Sequence, residues 1–238
     1  MHRTSVILTK EWSETRHNKM VLLSAVFLPV FMVGAALFMV YQGKGVTVPG
    51  AQAALFNTAL MYFLILPVLI PLAIAVYSIV GEKEQGSLEP LLATPITDLE
   101  LFLGKALASV FPAMIMTWAG FGLFIAVAIP LVGGIPHHVL TPPWLAAIFG
   151  LSPLLALFSV GVTMLVSARA TDVRAAYQFS SFAVIPAIVP LVIYSSRKTL
   201  VSLMLVGGEG AVLLVGSAVV LYFPIKTFQR EQILTRWK

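Results

Sequence analysis

The chain has 238 residues, of which 59% are hydrophobic and only 11% are charged, and its mean hydropathy is +0.96. A soluble domain of this size needs far more polar surface, so the composition excludes a water-soluble fold and predicts a protein that is solvated by lipid. The chain contains no cysteine, which excludes disulfides, thiolate metal sites and cysteine nucleophiles.

Six apolar runs are each long enough to cross a bilayer as a helix, because a span needs about 20 residues that each rise about 1.5 Å. The runs cover about residues 21–41, 54–80, 105–130, 145–167, 179–195 and 200–225. Such continuous runs lack the alternating pattern of barrel strands. The predicted fold is therefore an all-α integral membrane protein with six transmembrane helices, and the spans with their short connectors leave no room for a soluble domain.

Basic residues are divided unequally between the loops. If residues 1–20 lie on one side of the membrane, that side carries twelve Lys and Arg residues, and the other side carries three: Lys44, Arg197 and Lys198. The positive-inside rule then predicts that both termini and the loop 81–105 are cytoplasmic and that the protein lies in the plasma or inner membrane. This bias accounts for the net charge of +5, so a nucleic-acid partner has no separate support.

The first 20 residues are charged and include a short amphipathic stripe. Leu8 and Trp12 are four residues apart and would share one face of a helix over residues 3–17. One interpretation is a helix that lies on the cytoplasmic interface. The other is a positively charged flank that only orients the first span.

Polar residues are rare within the spans, and Glu209 is the main candidate for a functional one. A glutamate at mid-membrane is costly and usually marks a site. In a second interpretation, which we favour, residues 199–209 form an outer interfacial or re-entrant segment, and the last span covers about residues 210–226. Glu209 then lies at the outer boundary. Asn57 and Tyr62 are further candidates for a pathway or outer gate, although both could equally pack between helices.

The sequence has no recognisable nucleotide-binding or metal-binding motif. Lys105 follows Gly104 as in a phosphate-binding loop, but Ala106 and the missing first glycine break the Gly-x-x-x-x-Gly-Lys-Ser/Thr pattern. The His137–His138 pair has no acid or cysteine nearby that would complete a metal site. We therefore expect neither an enzyme nor a cofactor in this chain, and active transport would need energy from another subunit.

The polar stretch 81–105 is the most informative part of the chain, because it contains five of the ten acidic residues. Thr97 and Glu100 have the Thr-x-x-Glu spacing of a capping box, which predicts the start of the third span. The acids of this stretch are Glu82, Glu84, Glu89, Asp98 and Glu100. A membrane protein that concentrates its acids in one short loop is expected to use that loop to contact something in water.

A short helix is predicted within this stretch. Ser87 can cap its first turn, and Pro95 would end it. Three leucines with i, i+3, i+4 spacing give it an apolar face: Leu88, Leu91 and Leu92. The leucines either dock into a groove on another protein or face lipid.

The stretch GEKEQGSLEPLLATPITDLELFLGK closely resembles a segment of ABC-2-type transporter permeases, the membrane subunits of bacterial and archaeal ABC exporters. In those proteins a charged run precedes Gly-Ser/Thr-Leu-Glu, Leu-Leu-Ala-Thr-Pro and a Leu-Gly-Lys at the start of the third span. The matching residues are Glu84, Gly86, Leu88, Glu89, Leu91, Leu92, Pro95, Gly104 and Lys105.

The resemblance implies the type-2 ABC exporter fold, with both ends inside and a coupling helix at about residues 84–95. It implies that a separate cytoplasmic ATPase binds ATP and Mg²⁺ and docks on this helix, and that a second permease copy or a related permease completes the core. The expected docking residues are Glu84, Ser87, Leu88, Glu89, Leu91 and Leu92.

Two other functions remain open at this stage, and the substrate is not specified by any residue. An ion-gradient-driven secondary transporter would need an acid such as Glu209 in its pathway. A non-transporting assembly or sensor subunit could share the fold.

Overall fold

The computed structural model describes residues 7–13, 19–86, 97–132, 141–196 and 202–227, and every regular element within these ranges is helical. Helix α1 covers residues 7–13. It is followed by α2 (Lys19–Lys44), α3, α4 (Asp98–Val132), α5, α6 (Val173–Ser196) and α7 (Leu203–Thr227). Helices α2 to α7 are long and apolar enough to cross a membrane, which confirms the predicted all-α fold with six spans.

Two of the long helices contain a π-helical turn. Helix α3 joins the α-helix Pro49–Val76, the π-helical turn Tyr77–Gly81 and the single turn Glu82–Glu84. Helix α5 joins Pro142–Ala146, the π-helical turn Ala147–Leu151 and Ser152–Arg169. Such turns are rare and occur often at functional sites.

Helix α3 lies at the centre of the bundle, where it packs against α2, α4, α5 and α6. In its most apolar stretch 83% of the residues are buried, compared with 22% in the corresponding stretches of α6 and α7. Aromatic rings fill the contact with α4: the ring centroid of Phe63 lies 5.1 Å from that of Phe124 and 5.5 Å from that of Phe121. The outer helices therefore leave most of their apolar surface for lipid or for another chain.

Two helices extend beyond the apolar runs of the sequence. Helix α4 begins at Asp98, ahead of the run 105–130, where Thr97 and Glu100 form the predicted capping box. Helix α3 continues beyond residue 80 to Glu84, and a turn follows in which Gly86 has a φ of +66°.

The last helix also begins earlier than expected. The Ser202 hydroxyl accepts the backbone N–H of Leu205 at 3.3 Å and caps α7, which begins at Leu203. Residues 203–209 are therefore the first turns of the last helix. They do not form a separate re-entrant segment before a span over 210–226.

Helix α7 approaches α5 closely at Gly161. A Cβ atom on Gly161 would lie 2.9 Å from Val220 Cγ1 and 3.2 Å from Leu221 Cδ2, which is closer than such atoms normally come. Small residues permit this kind of backbone approach between membrane helices. The absence of a side chain at residue 161 therefore sets the distance between α5 and α7.

We predict that Gly161→Leu destabilises the protein, because the added side chain forces α7 away from α5. Overpacking of this kind costs about 1–3 kcal/mol, which corresponds to a drop of roughly 2–12 °C in Tm for a chain of this size. Thermal unfolding of the detergent-purified protein measures the change. Gly122→Leu is the matched control, since a Cβ atom there meets nothing within 4 Å. Equal Tm values for the two variants would contradict the close approach.

Candidate functional site

Five residues from three helices form a buried ionic cluster. Lys105 of α4 lies at its centre: its Nζ donates to Glu11 Oε1 at 2.6 Å, to Glu82 Oε2 at 2.7 Å and to the Ser78 carbonyl at 2.8 Å. Glu82 Oε1 accepts from Lys10 Nζ at 2.6 Å, and the Ser78 hydroxyl donates to Glu11 Oε2 at 2.7 Å. Each carboxylate oxygen of the cluster therefore has a donor.

The cluster contains two lysines and two glutamates, so its formal charges cancel. The side chains of Glu11, Glu82 and Lys105 are only 3–5% exposed, and that of Lys10 is 35% exposed. Burying such ions removes several kcal/mol of hydration per ion, and the loss is offset only where geometry and hydrogen bonds are good. The short distances and full set of acceptors around Lys105 meet that condition.

Local sequence explains how the three helices bring these groups together. Ile7 and Glu11 are four residues apart, so they lie on the same face of α1. Gly104 lets this face approach α4, because a Cβ atom on Gly104 would lie 2.7 Å from Ile7 Cγ2. On α3, Ser78 belongs to the π-helical turn, whose i→i+5 hydrogen bonds differ from those of the α-helix, and its carbonyl accepts from Lys105.

The two residues after Glu82 connect α3 to the loop between α5 and α6. Lys83 is buried, and its Nζ donates to the carbonyls of Ser167 at 2.7 Å and Ala168 at 3.1 Å, at the end of α5. Glu84 Oε1 accepts the backbone N–H of Val173 at 3.0 Å, at the start of α6. A cation thus lies at a helix C-terminus and an anion at a helix N-terminus, as the helix dipoles favour.

These contacts place the ends of five helices at one end of the bundle, which we call the basic end. It holds α1, the end of α3, the start of α4, the end of α5 and the start of α6. Gly86 follows the end of α3 and Thr97 precedes the start of α4, so the acidic loop that joins these two residues begins and ends here.

Of the predicted docking residues, only Glu84 is among the described residues. Ser87, Leu88, Glu89, Leu91 and Leu92 lie outside the described residues. The helical turn ends at Glu84, and Gly86 adopts a left-handed conformation, so Glu84 belongs to the end of α3. The rest of the predicted coupling helix at about residues 84–95 lies outside the described residues and stays a prediction. The exposed Glu84 carboxylate also has a partner within the chain at α6.

The opposite end of the bundle contains two of the three predicted gate residues. Trp144 of α5 donates its indole N–H to Asn57 Oδ1 at 3.1 Å, and both residues are buried. Glu209 of α7 and Trp144 line the same cavity of about 10 Å³. Tyr62 lies five residues beyond Asn57, on a different face of α3, and packs against the hydrophobic core.

Glu209 has an oxygen without a partner. Its Oε1 is buried and has no hydrogen-bond partner within the part of the chain that the structure describes. The cavity beside it is close to the smallest space, about 10–15 Å³, that can hold a water molecule. Within the described ranges, no three His, Asp or Glu side chains come together as potential metal ligands.

Sequence reasoning did not predict the ionic cluster. The second predicted span ends near residue 80 and the third begins near residue 105, so Glu82 lies outside the predicted spans and Lys105 lies at the edge of one. The usable signal was the pair Lys10–Glu11 on an amphipathic segment, together with the Gly-Lys of residues 104–105. Ser78 gave no signal, because its role depends on a π-helical turn.

The fold defines a multi-pass helical membrane protein with a charged assembly of helix ends on one side. A family model described as ABC-2 family transporter protein matches residues 5–206, so the chain belongs to this family of membrane transport subunits. A comparison with curated proteins found no match. The match confirms the family expected from the acidic loop, and it is in keeping with a place in the cell membrane.

We predict that Lys105→Met strongly destabilises the protein, because it leaves Glu11 and Glu82 buried without their central cation. Removing one partner of a buried ion pair costs about 3–5 kcal/mol. Thermal unfolding of the purified protein measures the loss. Lys44→Met is the control, since Lys44 is exposed at the opposite end of the bundle. A Tm of Lys105→Met within error of the control would contradict a role of the cluster in holding the helices together.

Proposed function

We propose that the chain is the permease subunit of an ATP-driven exporter, in which a separate ATPase docks on the loop between Gly86 and Thr97 at the basic end. The resemblance of this loop to the coupling segment of ABC-2-type permeases supports the docking site, and the family match supports the class of transporter. The sequence lacks a phosphate-binding loop, so ATP and Mg²⁺ would be bound by the partner ATPase.

The observation that carries the proposal is the direct bonding between the two flanks of this loop. Glu82 lies four residues before the end of the turn at Gly86, and Lys105 lies seven residues after the start of α4, yet their side chains are 2.7 Å apart. A force on the loop would therefore act on α3 and α4 together. It would also reach α1 through Glu11 and α6 through Glu84.

The exporter would need two permeases and two ATPases. ATP binding would bring the ATPases together, and each docking loop would move with its ATPase. Leu88, Leu91 and Leu92 would supply the apolar contact, and Glu89 would be a charge at the rim that sets orientation. The excess of lysine and arginine at the basic end supports a cytoplasmic position for this surface.

At the opposite end, we propose that Asn57 and Glu209 form an outer gate around Trp144. The support is the hydrogen bond between Trp144 and Asn57 and the Glu209 oxygen that has no partner in the described ranges and lines the same cavity as Trp144. An ionisable group in a membrane helix is costly, and such groups are generally kept for function. Tyr62 is not part of this group of side chains.

Docking is tested with Leu91→Asp, which places a charge in the predicted apolar contact. We expect the affinity for the ATPase to fall by about 30-fold or more, since central contacts of an interface are worth about 2 kcal/mol or more. Co-purification of the partner ATPase, expressed together with this chain, measures the effect. Leu203→Asp is the control, because Leu203 is exposed at the opposite end.

Two results show whether the ATPase docks at the predicted contact and whether the docking surface extends to the ionic cluster. Normal co-purification of the ATPase with Leu91→Asp would overturn the docking site. Lys105→Met changes the cluster and not the predicted contact. The folded fraction of this variant should therefore retain the ATPase. Loss of the ATPase from folded Lys105→Met protein would show that the docking surface extends to the cluster.

The outer gate is tested with Glu209→Met. Removing a buried carboxylate oxygen that has no partner among the described residues should raise Tm by roughly 2–12 °C, because desolvation of such a group costs about 1–3 kcal/mol. The same variant should lower ATP hydrolysis by the reconstituted complex, because the gate would no longer complete its cycle. Asn57→Leu, at the same end, should lower hydrolysis without raising Tm. Unchanged hydrolysis in both variants would rule out the gate.

A further inference from the structure

A groove of about 780 Å³ opens between α1 and the first turns of α4. Leu8 and Trp12 line it on the side of α1, and Leu107 and Phe111 line it on the side of α4. Each pair is spaced by four residues, so each forms one continuous apolar edge along its helix. The volume falls within the range of about 300–1,000 Å³ that is typical of sites for small organic molecules.

The groove and the ionic cluster use neighbouring faces of α1. Ile7 and Glu11 face α4 at Gly104 and Lys105, and both are at most 2% exposed. Leu8 and Trp12 are each one position further along, so they lie on the adjoining face, and Trp12 is 50% exposed. Because the cluster fixes α1 against α4, the groove cannot close by a simple rotation of α1.

The walls of the groove continue into an apolar stripe on α4. Large side chains recur at intervals of three or four residues along this stripe and are all exposed: Leu103, Leu107, Phe111, Ile115 and Trp118. In a multi-pass membrane protein an exposed apolar stripe on a spanning helix is solvated by lipid. The acyl chain of a bilayer lipid can therefore enter the groove without leaving its apolar surroundings.

One side of the groove is polar along the length of α1. Thr9 and Ser13 line the groove beside Leu8 and Trp12 and bring hydroxyl groups to it. Trp12 is amphipathic, and tryptophans gather where headgroups meet acyl chains. The groove thus has a polar side next to an apolar side, which suits an amphipathic molecule such as a phospholipid.

We propose that this groove binds the acyl chain of one bilayer phospholipid, which packs between Trp12 and Phe111 and supports α1 on the face next to the ionic cluster. This site does not depend on an ATPase or on transport. Its loss would therefore leave the proposed function untouched, and the failure of that function would leave the site untouched.

The first test uses native mass spectrometry of the full chain in mild detergent with added dioleoyl phosphatidylcholine. We expect one retained lipid per chain in the wild type, and occupancy about tenfold lower in Leu107→Trp, whose larger side chain fills the groove. Leu123→Trp is the matched control, because Leu123 is also an exposed leucine on α4 but lies outside the groove. Equal lipid retention in the two variants would overturn the proposal.

The second test detects a bound lipid through the fluorescence of Trp12 in the wall of the groove. A phosphatidylcholine with brominated acyl chains is titrated into delipidated protein, and tryptophan fluorescence is compared between the wild type and Trp12→Phe. The part of the signal that belongs to Trp12 should be quenched and should saturate at about one lipid per chain. Quenching that rises without saturation would mean that the groove holds only bulk lipid.

The measured masses also show whether a second copy of the chain, and not a lipid, occupies the groove. If a second copy of the chain fills the groove, wild-type and Leu123→Trp proteins will appear as dimers without lipid, and Leu107→Trp will appear as a monomer. That pattern would overturn the lipid site.

Discussion

A lysine ammonium can be buried only where carboxylates and carbonyls replace its water, and this constraint governs the basic end of the molecule. Lys105 satisfies it with partners from α1 and α3, so the positions of three helices depend on one side chain. The apolar contacts of the bundle are numerous but similar to one another. The ionic cluster is specific, because moving any of these helices separates a charge from its partner.

The residues around the acidic loop have two roles that the sequence alone does not separate. Glu82, Lys83 and Glu84 are consecutive and all charged, yet each contacts a different helix: α4, α5 and α6 respectively. Their side chains serve the fold of the permease. The acids at the start of the loop, Glu82 and Glu84, thus join helices.

The sequence was sufficient for the features that depend on local rules. Long apolar runs predicted six helices, and the Thr-x-x-Glu pattern predicted the cap of α4, because both depend on residues close together in the chain. It was not sufficient for the ionic cluster, since Glu11 and Lys105 are 94 residues apart and only packing brings them together. The start of α7 at Leu203 agrees with the apolar run over 200–225 and not with the favoured boundary near residue 210, because Ser202 caps the helix ahead of the glycines.

The π-helical turn in α3 changes which residues share a face of this helix. An i→i+5 turn holds one residue more than an α-helical turn, so the residues beyond it are rotated by roughly 100° from the direction that a regular helix would give them. Glu82 and Lys83 lie just beyond the turn Tyr77–Gly81, and this offset aims them at α4 and at the end of α5. A helical wheel drawn through α3 therefore assigns the wrong faces to its charged end. Relatives with a regular helix at this place would need different partners for the same charges.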